Sequence, residues 1–321
     1  MAGKYRKSKV EAQRRSLSLC SCVMFISAIL FLSCQSTPGA VDAMLEKTGL
    51  LPLDGGASFY IMADARQMRP ILERLPIEEL NNSQTRQMLD RTNYLAAALF
   101  LKESGRRFQL AAWGNYPSSQ AGLALSVNKD WEKRRSRAGG SYWYSRSNKL
   151  SLAIGSRQAF AAASLNDEPF DPISTTAGVE VPEGFADFRK NAEGTSSPFS
   201  CWLETPNTAI SRIMNDLGIP MRFPVQKLFI SLLPVKEEKY EAAIRLQFEN
   251  ASHARAMTAV LNMVSGLLPK DSNVTFISIL FANPAVLNGS NVDIKSAALT
   301  EDEVVNLIGT FLFTLKVPVQ E

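Results

Sequence analysis

Apolar positions first alternate in a strand-like run from Ala57 to Ala63, then take helical spacing, with Met68, Ile71, Leu72 and Leu75 on one face. Asp64 stands where a carboxylate can accept from the first free amides of that helix. Two further strand runs, Leu95 to Glu103 and Phe108 to Asn115, flank the turn Ser104–Arg107. Leu123, Leu125, Val127 and Trp131 predict a second helix, entered from the capping stretch after Asn115. Ser141 to Ser147 and Leu150 to Ile154 read as a strand pair, and Ser156 to Leu165 as a closing helix.

The same order begins again at residue 199. Phe199 to Glu204 reads as a strand, and Thr205 as the cap of a helix with Ile210, Ile213, Met214 and Leu217 on one face. Pro206 sits at its first position, where a missing N–H costs nothing. Lys227 to Val235 and Tyr240 to Glu249 flank the turn Lys236–Lys239. Asn250 caps a helix carrying Met257, Val260, Leu261, Val264 and Leu268; strands Val274 to Phe281 and Val292 to Ser296 follow, then a last helix from Glu301 to Leu315. The order β-α-β-β-α-β-β-α, met twice, predicts an α+β protein: antiparallel sheets with amphipathic helices packed on them. The halves are residues 57–165 and 199–321. Residues 166–198, rich in Pro, Gly, Ser and Thr, read as a linker, and residues 34–56 as a tether able to fold back onto the body.

The last helix stands apart. Thr300 and Glu303 have the spacing of a capping box. Val304, Leu307, Ile308, Phe311 and Leu315 mark one face, and Val305, Leu312 and Phe313 widen it until the C-terminal turns keep little polar surface. A helix apolar on most sides must be buried or must meet another apolar phase. Domain core and membrane both satisfy that. Val304, Leu307, Ile308, Phe311, Leu312 and Leu315 are therefore the candidate lipid or membrane contacts. The apolar loop Asn283 to Gly289 is expected beside them.

At the N-terminus, Lys4, Arg6, Lys7, Lys9, Arg14 and Arg15 face one acid, Glu11, and an uncharged apolar run extends to Ser33. That is the length of a signal-peptide core and short for a membrane span. It ends in Phe31-Leu32-Ser33-Cys34, followed by polar, breaker-rich residues. The pattern resembles a bacterial lipobox, in which the cysteine thiol takes diacylglycerol and the bond before it is cut. Residues 1–33 then form the leader, and Cys34 carries palmitate-type acyl chains as the first mature residue. Phe31 stands where Leu is usual. An uncleaved signal anchor, with Cys34 incidental, is the competing reading. Cys20 and Cys22 have almost no apolar core before them.

Charge and composition then narrow the function. The chain carries a net +4, and residues 1–33 hold six bases and one acid, so about −1 remains after the leader is removed. The basic pI of 8.8 thus belongs to the leader and gives no argument for nucleic-acid binding. A basic cluster persists at Lys129, Lys133, Arg134, Arg135 and Arg137. It reads as a solvated helix end, with anionic lipid headgroups as the functional alternative. Beyond Cys34 only Cys201 is left, so no intramolecular disulfide is expected, and Cys201 lies in a strand-like run as a small core residue. His253 is the single histidine and no Cys pair has zinc spacing, which leaves no expected metal site. No phosphate loop or G-x-S-x-G elbow occurs. The acids Glu78-Glu79, Glu237-Glu238 and Glu301/Glu303 sit in turns or at helix starts, where the dipole or solvent accounts for them. No catalytic residue, cofactor or metal is expected, so the chain does not read as an enzyme.

The lipobox at Phe31 to Cys34, an α/β body without catalytic motifs, and the amphipathic helices at 207–217, 251–268 and 301–315 together resemble the treponemal concealed outer-membrane lipoprotein family. The resemblance implies a protein held by its acyl chains on the periplasmic leaflet of the outer membrane. It implies that amphipathic helices enter the bilayer, bind lipid and alter membrane permeability. The implied partners are membrane lipids or acyl chains, with a protein of the envelope also possible and no nucleic acid or metal. The competing class is a periplasmic binding or scaffold lipoprotein, gripping a protein or small ligand between its two halves.

Overall fold

The computed structural model describes residues 49–314, apart from 76–85, 87–88, 103–104, 117, 136–139, 148, 156–159, 165–177, 191–193, 205, 208–223, 236–238 and 268–282. In chain order the first part contains β1 (Leu50–Leu51), β2 (Phe59–Asp64), α1 (Arg69–Leu72), β3 (Thr92–Lys102), β4 (Gly105–Gly114), α2 (Ser118–Val127), β5 (Trp131–Arg135), β6 (Ser141–Ser145), β7 (Leu150–Gly155) and β8 (Phe160–Ser164). Then come β9 (Val179–Glu180), α3 (Phe185–Phe188), β10 (Phe199–Leu203), β11 (Val225–Val235), β12 (Lys239–Phe248), α4 (Ala251–Leu267), β13 (Val286–Asn288), β14 (Asn291–Leu299) and α5 (Glu301–Thr314).

Twelve of these strands form one antiparallel sheet, in the order β13-β14-β12-β11-β10-β2-β3-β4-β8-β7-β6-β5. The seam between the expected halves is a strand pair, β2 with β10, in register from Phe59↔Leu203 to Ala63↔Phe199. Across it the rings of Tyr60 and Trp202 stack with centroids 4.7 Å apart. On either side the order runs outward through two long hairpins, β3–β4 and β11–β12. Beyond these the halves differ: four strands extend one end, while β14 and β13 finish the other.

Period-2 alternation along each strand splits the core between the two faces. One face carries Tyr60, Met62, Ala96, Phe100, Trp113, Trp202 and Phe229, covered by Leu51, Leu53 and Phe185. On the other face, α4 lays Ala254, Met257 and Leu261 over Phe59, Cys201, Leu203, Ile244, Leu246, Val292 and Ile294. A third cluster on that same side of the sheet joins Ala63, Leu232 and Ala242 to Met68, Ile71 and Leu75 after β2, and to Val304, Leu307 and Ile308 of α5.

Four expectations change. Residues 156–165 do not form a helix as far as they are described: Phe160–Ser164 is β8, paired with both β4 and β7. Its alanines favour helix locally, but they complete a row of small residues in register, Ala96, Ala111, Ala162 and Ala153, where two neighbouring strands supply the backbone partners. Second, Trp131 and the basic residues after it are not a helix end. Helix α2 stops at Val127, the Asn128 side chain accepts from the Asp130 amide at 3.0 Å, and Trp131–Arg135 is the edge strand β5. Third, part of the stretch read as a linker is packed: Phe185 is buried and meets Trp202 and Phe229 edge-on, at 4.9 Å and 5.2 Å between centroids. Fourth, the loop at 283–289 contains a short strand, β13, and is tied to α4. Asn262 on α4 donates to the Ala285 carbonyl at 3.1 Å and accepts from its amide at 2.7 Å. The expected helix at 207–217 and the strand at 274–281 lie outside the described residues, except for Asn207.

Candidate lipid-contact surfaces

Helix α5 begins as its sequence dictates. The Glu303 carboxylate accepts from the Thr300 amide at 2.7 Å and from the Thr300 hydroxyl at 2.9 Å, while the Glu303 amide lies 3.4 Å from that hydroxyl. Two unpaired donors at the helix start are satisfied this way. Arg74 then bridges to Glu301 at 3.1 Å and also contacts Asp302, tying the first turn of α5 to the segment after α1. These ties point the apolar face inward. Val304 is fully buried, and Leu307 and Ile308 are 8% exposed, against Met68, Ile71 and Leu75. Three of the six candidate contacts thus serve the core in this structure. The side chains of Phe311 and Leu312, along with Leu315 and Cys34, lie outside the described residues.

Apolar side chains that do face solvent gather elsewhere. Among the described residues six large hydrophobics are exposed, and five lie at the two ends of the sheet. Leu123 (60%) and Val127 (70%) are one turn apart on α2, which packs over β5 and β7. Met263 (57%) of α4 and Val286 (60%) and Leu287 (37%) of β13 mark the opposite end. Sequence reading found α4 amphipathic but assigned α2 only a place in the first half. The overlooked signal was composition: Ser118–Val127 contains no charged residue, so only Ser and Gln side chains offer a polar surface.

A groove of about 690 Å³ runs between α3 and strands β11, β12 and β14. Two ion pairs hold four of its charged side chains. Arg245 makes a forked bridge to Asp293 at 2.6 Å and 2.9 Å, and its guanidinium stands 5.2 Å from the Phe188 ring. The bond to Asp293 raises the pKa of Arg245 further. Lys295 pairs with Glu241 at 2.9 Å. Cys201 is not a nucleophile in waiting: it is buried between strands, and desolvation pushes its thiol up to about 12. His253 sits at the start of α4, its amide donating to the Asn250 side chain at 3.0 Å as part of an N-cap. No helix among the described residues is long and apolar enough to cross a membrane.

The family model described as outer membrane-associated lipoprotein TP0453 matches residues 46–277, well over half of the chain. The chain belongs to the TP0453 family. Three solved crystal forms of TP0453 are similar in fold. Form IV aligns with a TM-score of 0.55 at 16% identity, covering 83% of this chain and 99% of that one. Form I aligns with 0.54 at 15%, covering 82% and 96%, and form III with 0.53 at 16%, covering 82% and 97%. Comparison with curated proteins returns no significant sequence match. Membership in the TP0453 family makes this an outer membrane-associated lipoprotein of the cell envelope, with the mixed α+β architecture of its relatives.

Proposed function

We propose that the protein is a non-enzymatic, lipid-anchored component of the periplasmic leaflet of the outer membrane, which contacts bilayer lipid through its helices and alters membrane permeability. Cys34 carries the acyl chains. The observation that supports lipid contact is the distribution of exposed apolar side chains: Leu123, Val127, Met263, Val286 and Leu287 stand out from α2, α4 and the strand tied to α4. Isolated exposed hydrophobics are ordinary, but clusters on helices beside a permanently near membrane are suited to interfacial burial. Helix α5 adds Val304, Leu307 and Ile308 to that contact only when it leaves the core, as a two-state element. The competing reading, a ligand gripped between two halves, is not favoured, because β2 and β10 are hydrogen-bonded where that cleft would open.

Cys34→Ala expressed alongside the wild type tests the anchor: radioactive palmitate should label only the wild type. The chain from residue 34, with Cys34→Ser so that no acyl chain dominates, tests the lipid contact. It should float with liposomes and release a trapped dye, and Met263→Asp with Val286→Asp should weaken both. Absence of binding and release by the parent chain would overturn the reading.

A further inference from the structure

We infer that the β5 end of the sheet is a docking surface for anionic lipid headgroups, with Lys129, Lys133 and Arg135 as the headgroup contacts and Leu123 and Val127 entering the layer beneath. The inference rests on the membrane-contact reading above and names the side of the molecule and the lipid class. Between Lys129 and Lys149 the sequence places seven Lys and Arg residues against only Asp130 and Glu132, in a chain that carries about −1 once residues 1–33 are removed. The structure consumes part of that charge. Glu132 accepts from Arg134 at 3.3 Å and from Arg146 at 2.8 Å, and Asp130 accepts from the hydroxyls of Ser145 at 2.6 Å and Ser147 at 2.8 Å. Lys129, Lys133 and Arg135 stay exposed, with no carboxylate partner among the described residues.

The strand register gathers Lys133 and Arg135, and Lys129 sits in the turn just before β5. Trp131, Lys133 and Arg135 alternate onto one face of β5, and Lys133 pairs with Trp143 of β6, its ammonium 5.8 Å from that ring. Both tryptophans are partly exposed. Tryptophan and basic side chains together suit the water–lipid interface, where a ring lies at headgroup depth and a cation meets phosphate. Charge on an edge strand also prevents sheets from pairing end to end. That role accounts for the cations but not for Leu123 and Val127, more than half exposed on the helix packed over β5. Cation, aromatic and aliphatic groups on one local unit complement an anionic bilayer surface.

The chain from residue 34 carrying Cys34→Ser contains the whole described fold, and its partition is measured on phosphatidylcholine vesicles with and without phosphatidylglycerol. Each basic residue near an anionic surface contributes about a fivefold gain in partition. The parent should therefore prefer anionic vesicles, and Lys129→Gln/Lys133→Gln/Arg135→Gln should lose on the order of a hundredfold of that preference while keeping its binding to phosphatidylcholine. Added salt should erase the same difference. A control with equal charge removed elsewhere, Arg66→Gln/Lys239→Gln/Arg255→Gln, should retain the preference. Unchanged thermal unfolding confirms that the variants remain folded. Equal partition on both vesicles, or equal losses in the two triple variants, overturns the inference but leaves general lipid contact standing. Failure to bind either vesicle overturns both.

Discussion

Leu307→Ala tests whether α5 is core or membrane helix at rest. Leu307 is 8% exposed, between Val304 and Ile308 of its own helix and the Met68, Ile71 and Leu75 cluster. Truncating a buried Leu removes its transfer free energy and leaves a cavity, together about 2–5 kcal/mol. The transfer part, roughly 2 kcal/mol, is also lost if Leu307 is buried in lipid, but the cavity part arises only in the packed core. The packed state therefore loses more than a membrane-bound one. Urea unfolding should show a loss of about 2–4 kcal/mol. Dye release from liposomes, normalised to folded protein, should then begin at lower protein concentration than in the parent. A stability change under about 1 kcal/mol would refute the packing described for α5. A full stability loss with unaltered dye release would refute its part in permeability.

Other outcomes follow from the same packing. Phe185→Ala removes a fully buried ring that meets Trp202 and Phe229, and should cost about 3–5 kcal/mol with a changed near-ultraviolet dichroism of Trp202; a neutral effect would return residues 178–190 to linker status. In the chain from residue 34 bearing Cys34→Ser, Cys201 is the remaining thiol, and with its pKa pushed up to about 12 it should resist a thiol reagent at pH 8 until the protein unfolds. Hydrogen bonds from Ser145 and then Ser147 hold the Asp130 carboxyl below its ordinary value, which in an unfolded chain is about 3.9. Its contribution is then present above that pH and is lost as pH falls through the lower folded value. Asp130→Asn should accordingly be less stable than the parent at neutral pH, with the gap closing in acid unfolding curves below about pH 4.

Much of the fold was legible because the signals were local. Strands β2, β10, β11 and β12 declare themselves by alternation between bracketing turns, and α4 and α5 by capping residues followed by a regular apolar face. Asp64 accepts from the amides of Arg66 and Gln67 and so closes the turn before α1, but it is not the helix cap that its position suggested: α1 starts at Arg69, with Met68 at the cap position and no side-chain cap bond. Where reading failed, the deciding partner was distant in sequence. An alanine-rich run became β8 because β4 and β7 lie on either side of it, and Phe185 left a Pro- and Gly-rich stretch for a pocket formed by Trp202 and Phe229. The candidate lipid contacts divide in the same way. Periodicity picks out Val304, Leu307 and Ile308 as apolar, but an apolar face has the same pattern whether protein or lipid covers it.

The sequence by itself therefore determined which segments are apolar, where α4 and α5 begin, and the basic concentration between Lys129 and Lys149, since each is a property of neighbours along the chain. Tertiary structure alone decided which apolar faces are occupied. Arg74 and the α1 cluster hold α5 inward, and nothing among the described residues covers Leu123, Val127 or Met263. It also set the basic residues on an edge strand beside two tryptophans. Burial is non-directional and rewards any apolar neighbour equally, so the choice between core and membrane rests on which surfaces the folded sheet brings together.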